Sequence, residues 1–398
     1  MKITRIETLR PAQPATLLFV LVHTEAGLTG LGETWFGPET VEADIHTRLA
    51  PLVLGQDSRR IAELAAGMKP YVGAWGTGAE MRALSAIEVA LWDLAGKRTG
   101  LALCDLMGGR CRDEIPVYNT CAGPDYVSKS ADVRPGNFGA GAGDLEDLTA
   151  FMENPVDLAQ SLLDMGITSM KIWPFDFAEG AAHGADISVP DLRRALQPFE
   201  AIRGALGDRM ALKAELHGLW SLPAARKICR ALEPIEPDWV EDPVWMDRPD
   251  LMRTLGEATT CPLAGGETLG GLGQIHALIR YGQPAYPIID VAWGGGIGFA
   301  REAAALAAAA GRPIAFHDCS GPVTLAVSTH LAQTFPNVRE QEMTRAFYFR
   351  VYPQLADGLP GLRDGSLCVA DRPGHGISLR SELTGSPDVA RRISDLSR

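Results

Sequence analysis

The chain has 398 residues, 46% hydrophobic and 22% charged, a globular composition whose length suits two domains or one large one with additions. Its net charge of −12 is spread along the chain without a basic run or a basic and aromatic stripe, so nucleic acid is not an expected partner. There is no run of about eighteen apolar residues, and "MKITRIETLRPAQPA" at the start lacks the apolar centre of a signal peptide, so no membrane association and a cytoplasmic location are expected.

From about residue 115 apolar, β-branched stretches alternate with helical ones. The predicted strands are "IPVYNT", "SMKIW", "MALKAELHG", "PDWVEDP", "CPLAGGE", "YPIIDVAWGGG", "RPIAFHD" and "NVREQEM". Helix-like segments between them include "PDLRRALQPFEAIRGAL", "PAARKICRAL", "PDLMRTLGEA" and "REAAALAAAAG". Strands alternating with helices of that length predict a parallel sheet with right-handed crossovers, and eight of them predict a closed (β/α)8 barrel. "GGGIG" at 294–298 follows a strand candidate but lacks the context of a dinucleotide fingerprint, and "AAALAAAA" at 303–310 reads as a tightly packed barrel helix. Seven cysteines, an odd count without a C-x-x-C pair, read as scattered reduced thiols.

The polar residues at the strand ends carry the functional signal. Glu215, Glu241 and Glu267 recur at intervals of 26 and 26, and Asp290, His317 and Glu340 follow at 23, 27 and 23, each about one strand–helix unit. In a barrel, the C-terminal ends of successive strands converge on one mouth, where such folds keep their chemistry. Three carboxylates on consecutive strands repel unless protonated or bridged by a cation, and hard oxygen ligands favour Mg²⁺; Glu215, Glu241 and Glu267 are therefore the expected metal ligands. The alternative, carboxylates each paired with Arg or Lys, finds few such partners at these strand ends. A metal so held can bind a substrate carboxylate and stabilise the charge that develops when the α-proton leaves. His317, one strand beyond Asp290, fits a base whose other ring nitrogen is held by a carboxylate. Glu215 and His217 lie two apart, hence on one face of the predicted strand.

In this order and spacing "ELHG", "VEDP", "GGE", "IIDVAWGGG" and "FHDCSGP" resemble the enolase superfamily, and within it the mandelate racemase subgroup. The likeness extends over nearly the whole chain. It implies an α+β capping domain over 1–112, a modified (β/α)8 barrel over 113–355, and a segment 356–398 that returns to complete the cap. "GLTGLGETWFG" resembles the family's first substrate-covering loop, and "YVGAWGTGAEMRALSAIEVALWDLAGKRTGLALCDLMGG" its second loop and helix. The resemblance implies the Asp290–His317 dyad as base and Mg²⁺ stabilising an enediolate. It also implies a substrate-contacting role for Glu340, with Glu342 on the same face as its competitor.

Many members of the subgroup carry K-x-K on the second strand, with the second Lys as an opposing base. This chain has "MKIWPF": Lys171 matches the first position and Trp173 occupies the second, where an indole can only donate. Lys171 is left to balance a substrate carboxylate or to serve a structural role. In acid-sugar dehydratases of the family, an imidazole two residues after the first metal ligand protonates a departing β-hydroxyl, which His217 matches; the ligand before it is usually Asp and is Glu215 here. The expected activity is dehydration of a sugar acid, resembling galactonate- or mannonate-type dehydratases, on a small-molecule carboxylate substrate. The alternatives are a racemase, epimerase or cycloisomerase using Lys171 or His217 as second base, and a non-catalytic binding protein on the same fold. A homo-oligomer is expected, and the Gly- and Asp-rich stretch 121–150 is expected to form a lid or a subunit contact.

Overall fold

A computed structural model describes residues 1–69, 77–126, 139, 141 and 143–396. Three strands open the chain, β1 (Ile3–Pro11), β2 (Leu17–Thr24) and β3 (Thr29–Trp35), joined as an antiparallel meander. Their buried face, with Ile3, Ile6, Leu18, Val20 and Val22, packs on the 21-residue helix Ala79–Thr99 through Leu84, Ile87 and Leu91. Gly30 and Gly32 let that helix approach closely. A Cβ on either would lie about 2.0 Å or 1.9 Å from the carbonyl oxygen of Ala90 or Ala86.

Eight parallel strands follow: β4 (Ile115–Thr120), β5 (Ser169–Ile172), β6 (Ala211–Glu215), β7 (Trp239–Glu241), β8 (Leu263–Gly265), β9 (Tyr286–Ile289), β10 (Ile314–Phe316) and β11 (Val338–Met343). Each pairs with the next, and β11 pairs with β4, so the sheet closes into the barrel that the alternation predicts. The strands are shorter than the apolar runs suggest. β9 stops at Ile289 because Asp290 caps the short helix Val291–Gly294, its Oδ1 accepting the Trp293 N–H at 2.6 Å.

The last stretch of chain makes short pieces, β12 (Ala356–Asp357), β13 (Gly361–Arg363), β14 (Ser366–Cys368) and β15 (Ser378–Leu379), then β16 (Val389–Asp395). β14 adds to β4, β12 pairs with β15, and β16 adds to β1 at the outer edge of the N-terminal sheet. All seven cysteines are unpaired, and no helix of the described residues is long and apolar enough to cross a membrane.

Two buried glutamates from the N-terminal elements bind helix N-termini of the barrel. Glu33 on β3 accepts the N–H groups of Val323 and Thr324 at 3.0 and 2.6 Å, at the start of the helix Pro322–Thr334. Glu88 accepts those of Ile297 and Gly298 at 2.8 and 2.9 Å and the Trp92 indole at 2.8 Å. The "GGGIG" stretch therefore offers its helix N-terminus to a carboxylate of the chain itself. Replacing Glu88 with Ala removes the acceptor from one buried and two partly buried donors and is expected to destabilise the protein by about 1–3 kcal/mol, read as a lower midpoint in urea unfolding.

Candidate active site

The barrel strands end in a ring of acid and base groups around a cavity of about 260 Å³. Glu215 closes β6 and Glu241 closes β7, and the two are register partners. Glu267 stands two residues beyond β8. Ligand oxygens of Glu215, Glu241 and Glu267 lie within 4.8 Å of one another, and all three residues are buried. Lys171 on β5 reaches into the group, its Nζ 2.6 Å from Glu241, 3.1 Å from Glu215 and 3.1 Å from Glu342.

One ammonium among four buried carboxylates leaves surplus negative charge, and the groups register it. Burial pushes the Glu241 carboxyl well above its usual range, with Lys171 opposing. Burial also works against ionised Glu215, but Lys171 and then His217 outweigh it and hold that carboxyl down to about 2. Burial raises Glu267, whose Oε2 has no hydrogen-bond partner. A cation would satisfy that orphaned oxygen and relieve the repulsion, so the all-oxygen donor set fits a hard divalent metal. A second triple within the same 4.8 Å limit, Glu267, His317 and Glu342, shares Glu267 with the first but includes an imidazole.

His317 follows β10 and Asp290 follows β9. The His317 Nδ1 lies 2.5 Å from Asp290 Oδ2, while Nε2 faces the cavity, 3.6 Å from Glu267 and 4.0 Å from Glu342. Burial opposes a charge on this ring, but Glu267 and Glu342, followed by Asp290, raise it well above the ordinary histidine range.

His217 reaches the same cavity by a different route from the one alternation predicts. β6 ends at Glu215, and His217 has a φ of 47°, so it belongs to a left-handed turn beyond the strand. The turn is held by Glu215 Oε1, which accepts the N–H groups of Leu216 and His217 at 3.0 and 2.8 Å. His217 Nδ1 then lies 2.5 Å from Oδ2 of the fully buried Asp176, on the 3₁₀ turn Pro174–Phe177 after β5. Burial opposes protonation of His217, yet Asp176 and then Glu215 outweigh it, raising the ring to about 9. Trp173 packs against this imidazole with ring centroids 5.9 Å apart.

Glu340 does not face the cavity, and its expected contact with substrate is corrected. Two residues before Glu342 on the same strand face, it sits about 7 Å lower in the barrel. There it pairs with buried Lys213 at 3.2 Å, in a layer with Asp238, Tyr118 and Trp239. Glu342 lines the cavity instead, bonded to the Thr120 hydroxyl and accepting the Asp318 N–H at 3.1 Å.

The chain is similar to known proteins over nearly its whole length. Residues 154–383 match the family described as enolase C-terminal domain-like, and residues 6–108 match the mandelate racemase / muconate lactonizing enzyme N-terminal domain. The chain belongs to the enolase superfamily. Within the superfamily it falls in the mandelate racemase / muconate lactonizing subgroup. An enolase of the mandelate racemase subgroup from Agrobacterium tumefaciens is similar in structure, with 40% identity, a TM-score of 0.89 and full coverage of both chains. An enolase from Sargasso Sea environmental sequencing is 37% identical, with a TM-score of 0.88 and full coverage of both. The D-galactonate dehydratase of Variovorax paradoxus is 29% identical over 390 residues, 96% of this chain and 93% of that one.

In this enolase-superfamily chain, several residues in and behind the cavity wall escaped the sequence reading. Asp176 sits on an irregular turn with no strand period to mark it. Arg82 comes from the helix Ala79–Thr99 and Trp293 from the turn after Asp290, and both line the cavity with Phe36 of β3's trailing loop. Residues 70–76 of the expected second covering loop lie outside the described residues. So do residues 127–138, 140 and 142 of the stretch 121–150 expected as a lid; of its described part, Tyr126 lines the cavity and packs on Trp173 with centroids 5.6 Å apart.

Proposed function

We propose that this chain is a Mg²⁺-dependent dehydratase of a sugar acid, removing the proton α to the carboxylate and eliminating the β-hydroxyl to give a 2-keto-3-deoxy acid. The observation that carries this reading is the pair of Asp–His couples, Asp290–His317 and Asp176–His217, opening on one cavity beside the carboxylate cluster. They follow β10 and β6, four strands apart in a closed ring of eight, so the two imidazoles approach from opposite sides of the barrel.

Glu215, Glu241 and Glu267 would hold Mg²⁺, which when bound supplies a positive centre for the substrate carboxylate and for the charge that develops on it. Lys171, beside the same carboxylates, adds a cation to that end of the cavity. Asp290 fixes the His317 ring and its tautomer, leaving Nε2 to take the α-proton. The His317 charge depends first on Glu267 and Glu342, so it changes with the charge state of the cluster. Asp176, outside that cluster, is the main group sustaining the His217 proton, so His217 is charged at neutral pH and acts as the acid. That proton leaves with the hydroxyl as water, and the enol product tautomerises to the ketone. Trp173, where a second lysine base would stand, closes the side of the cavity next to His217. Similarity to the Variovorax paradoxus D-galactonate dehydratase supports the same reaction class.

Epimerisation is the second reading, favoured by the same opposed histidines, and it would need His217 neutral. Incubation with a panel of sugar acids tests between them. The expected result is a 2-keto-3-deoxy product from at least one acid, abolished by a chelator and restored by Mg²⁺. Full activity in chelated protein, or a stereoisomer as the sole product, contradicts the dehydratase reading.

A further inference from the structure

The cations lining the cavity are not equivalent. Lys171 faces three carboxylates, His317 is held by Asp290 and His217 by Asp176. Arg82 has no carboxylate within ion-pairing distance among the described residues. Its Nη1 donates to the carbonyls of Trp35 and Phe36 at 3.0 and 3.1 Å, which fixes the plane of the guanidinium, while its buried Nε has no partner. The guanidinium lies over two aromatic faces, 5.0 Å from the Trp293 centroid and 5.8 Å from that of Phe36. Trp293 in turn packs on His317 with centroids 4.9 Å apart. Arg82, Trp293 and His317 thus form a stack running from the helix Ala79–Thr99 to the base, with Arg82 at the end removed from the carboxylates that His317 meets.

Burial makes this guanidinium costly, lowering it to about 10 with Asp290 only partly compensating. A planar fork, oriented by backbone carbonyls and set against aromatic faces, suits a carboxylate. On the sugar-acid reading the reacting carboxylate goes to Lys171 and the three glutamates, which leaves Arg82, in none of their ion pairs, for a second group of the substrate. We propose that Arg82 is a specificity-determining residue that binds a second carboxylate at the far end of the substrate, making the preferred substrate a dicarboxylic sugar acid and not a monocarboxylic one. This rests on the sugar-acid reading of the site. It narrows that reading to acids oxidised at both ends.

The test compares a dicarboxylic sugar acid with the monocarboxylic acid of the same stereochemistry, by calorimetric titration in the presence of Mg²⁺. The protein used is His317→Asn, so that neither ligand is consumed. The diacid is expected to bind about ten- to a hundredfold more tightly, the span of a hydrogen bond to a charged group. Adding Arg82→Gln should erase the difference while monoacid binding stays within a few fold, and Arg82→Lys should retain part of it. Equal binding of the two acids to the Arg82-containing protein overturns the proposal, whether or not the Gln variant folds. A diacid preference unchanged in Arg82→Gln also overturns it. The dehydratase reading fails separately, by wild-type protein giving no keto-deoxy product from any acid, and the binding comparison stands in that event.

Discussion

Replacing His317 with Asn is expected to lower exchange of a substrate's α-proton in deuterated water, and product formation with it, by at least about 10²–10⁴-fold, the range for loss of a positioned acid or base. The substitution leaves the rest of the site in place. Asn retains an N–H for Asp290, whose other oxygen stays on the Trp293 amide, and Glu215, Glu241 and Glu267 are untouched. Metal affinity and unfolding midpoint should therefore stay near the native values while exchange collapses. Exchange at the native rate in this variant would remove His317 as the base and leave Lys171 the better candidate.

Replacing His217 with Asn separates the two halves of the reaction. The α-proton should still exchange, because His317, Asp290 and the carboxylate cluster are intact, whereas elimination should fall by about 10²–10⁴-fold, since hydroxide leaves poorly without a proton. A substrate analogue with fluoride at the β-carbon needs little protonation and should recover much of the lost rate. Asn can still donate to Asp176, so that buried carboxylate keeps a partner. Loss of exchange and elimination in equal measure would instead mark His217 as part of the substrate- or metal-binding apparatus. Normal elimination of the hydroxyl substrate would place the acid elsewhere.

The barrel was legible because parallel strands buried on both faces read as short β-branched runs, and the acid and base residues at their ends recur once per strand–helix unit. That period located Glu215, Glu241, Glu267, Asp290 and His317 at one mouth. It could not choose between Glu340 and Glu342. Both share a face of β11, and depth along the axis depends on how β11 registers against β10 and β4, a non-local relation. His217 was found through a spacing argument whose geometry differs in the fold, since a left-handed turn and not strand alternation brings it to the cavity. Asp176 and Arg82 carried no local signal. One sits on a turn, the other on a helix of the capping layer, and each gains its meaning only when distant segments meet.

The pairing of β16 with β1 has a consequence for how the chain is made. β1 leaves the ribosome long before β16, so at elongation rates of about 5–20 residues per second β1 waits roughly 20–80 s for its outer neighbour. Throughout that interval its outward row of backbone donors and acceptors is a template for any extended segment nearby. Arg5, Glu7 and Arg10 lie along β1, and charge of this kind discourages the wrong partner. When the correct strand arrives, Arg391 meets Glu7 at 3.1 Å, so one of the charges that guards the nascent edge also receives the strand that finally covers it.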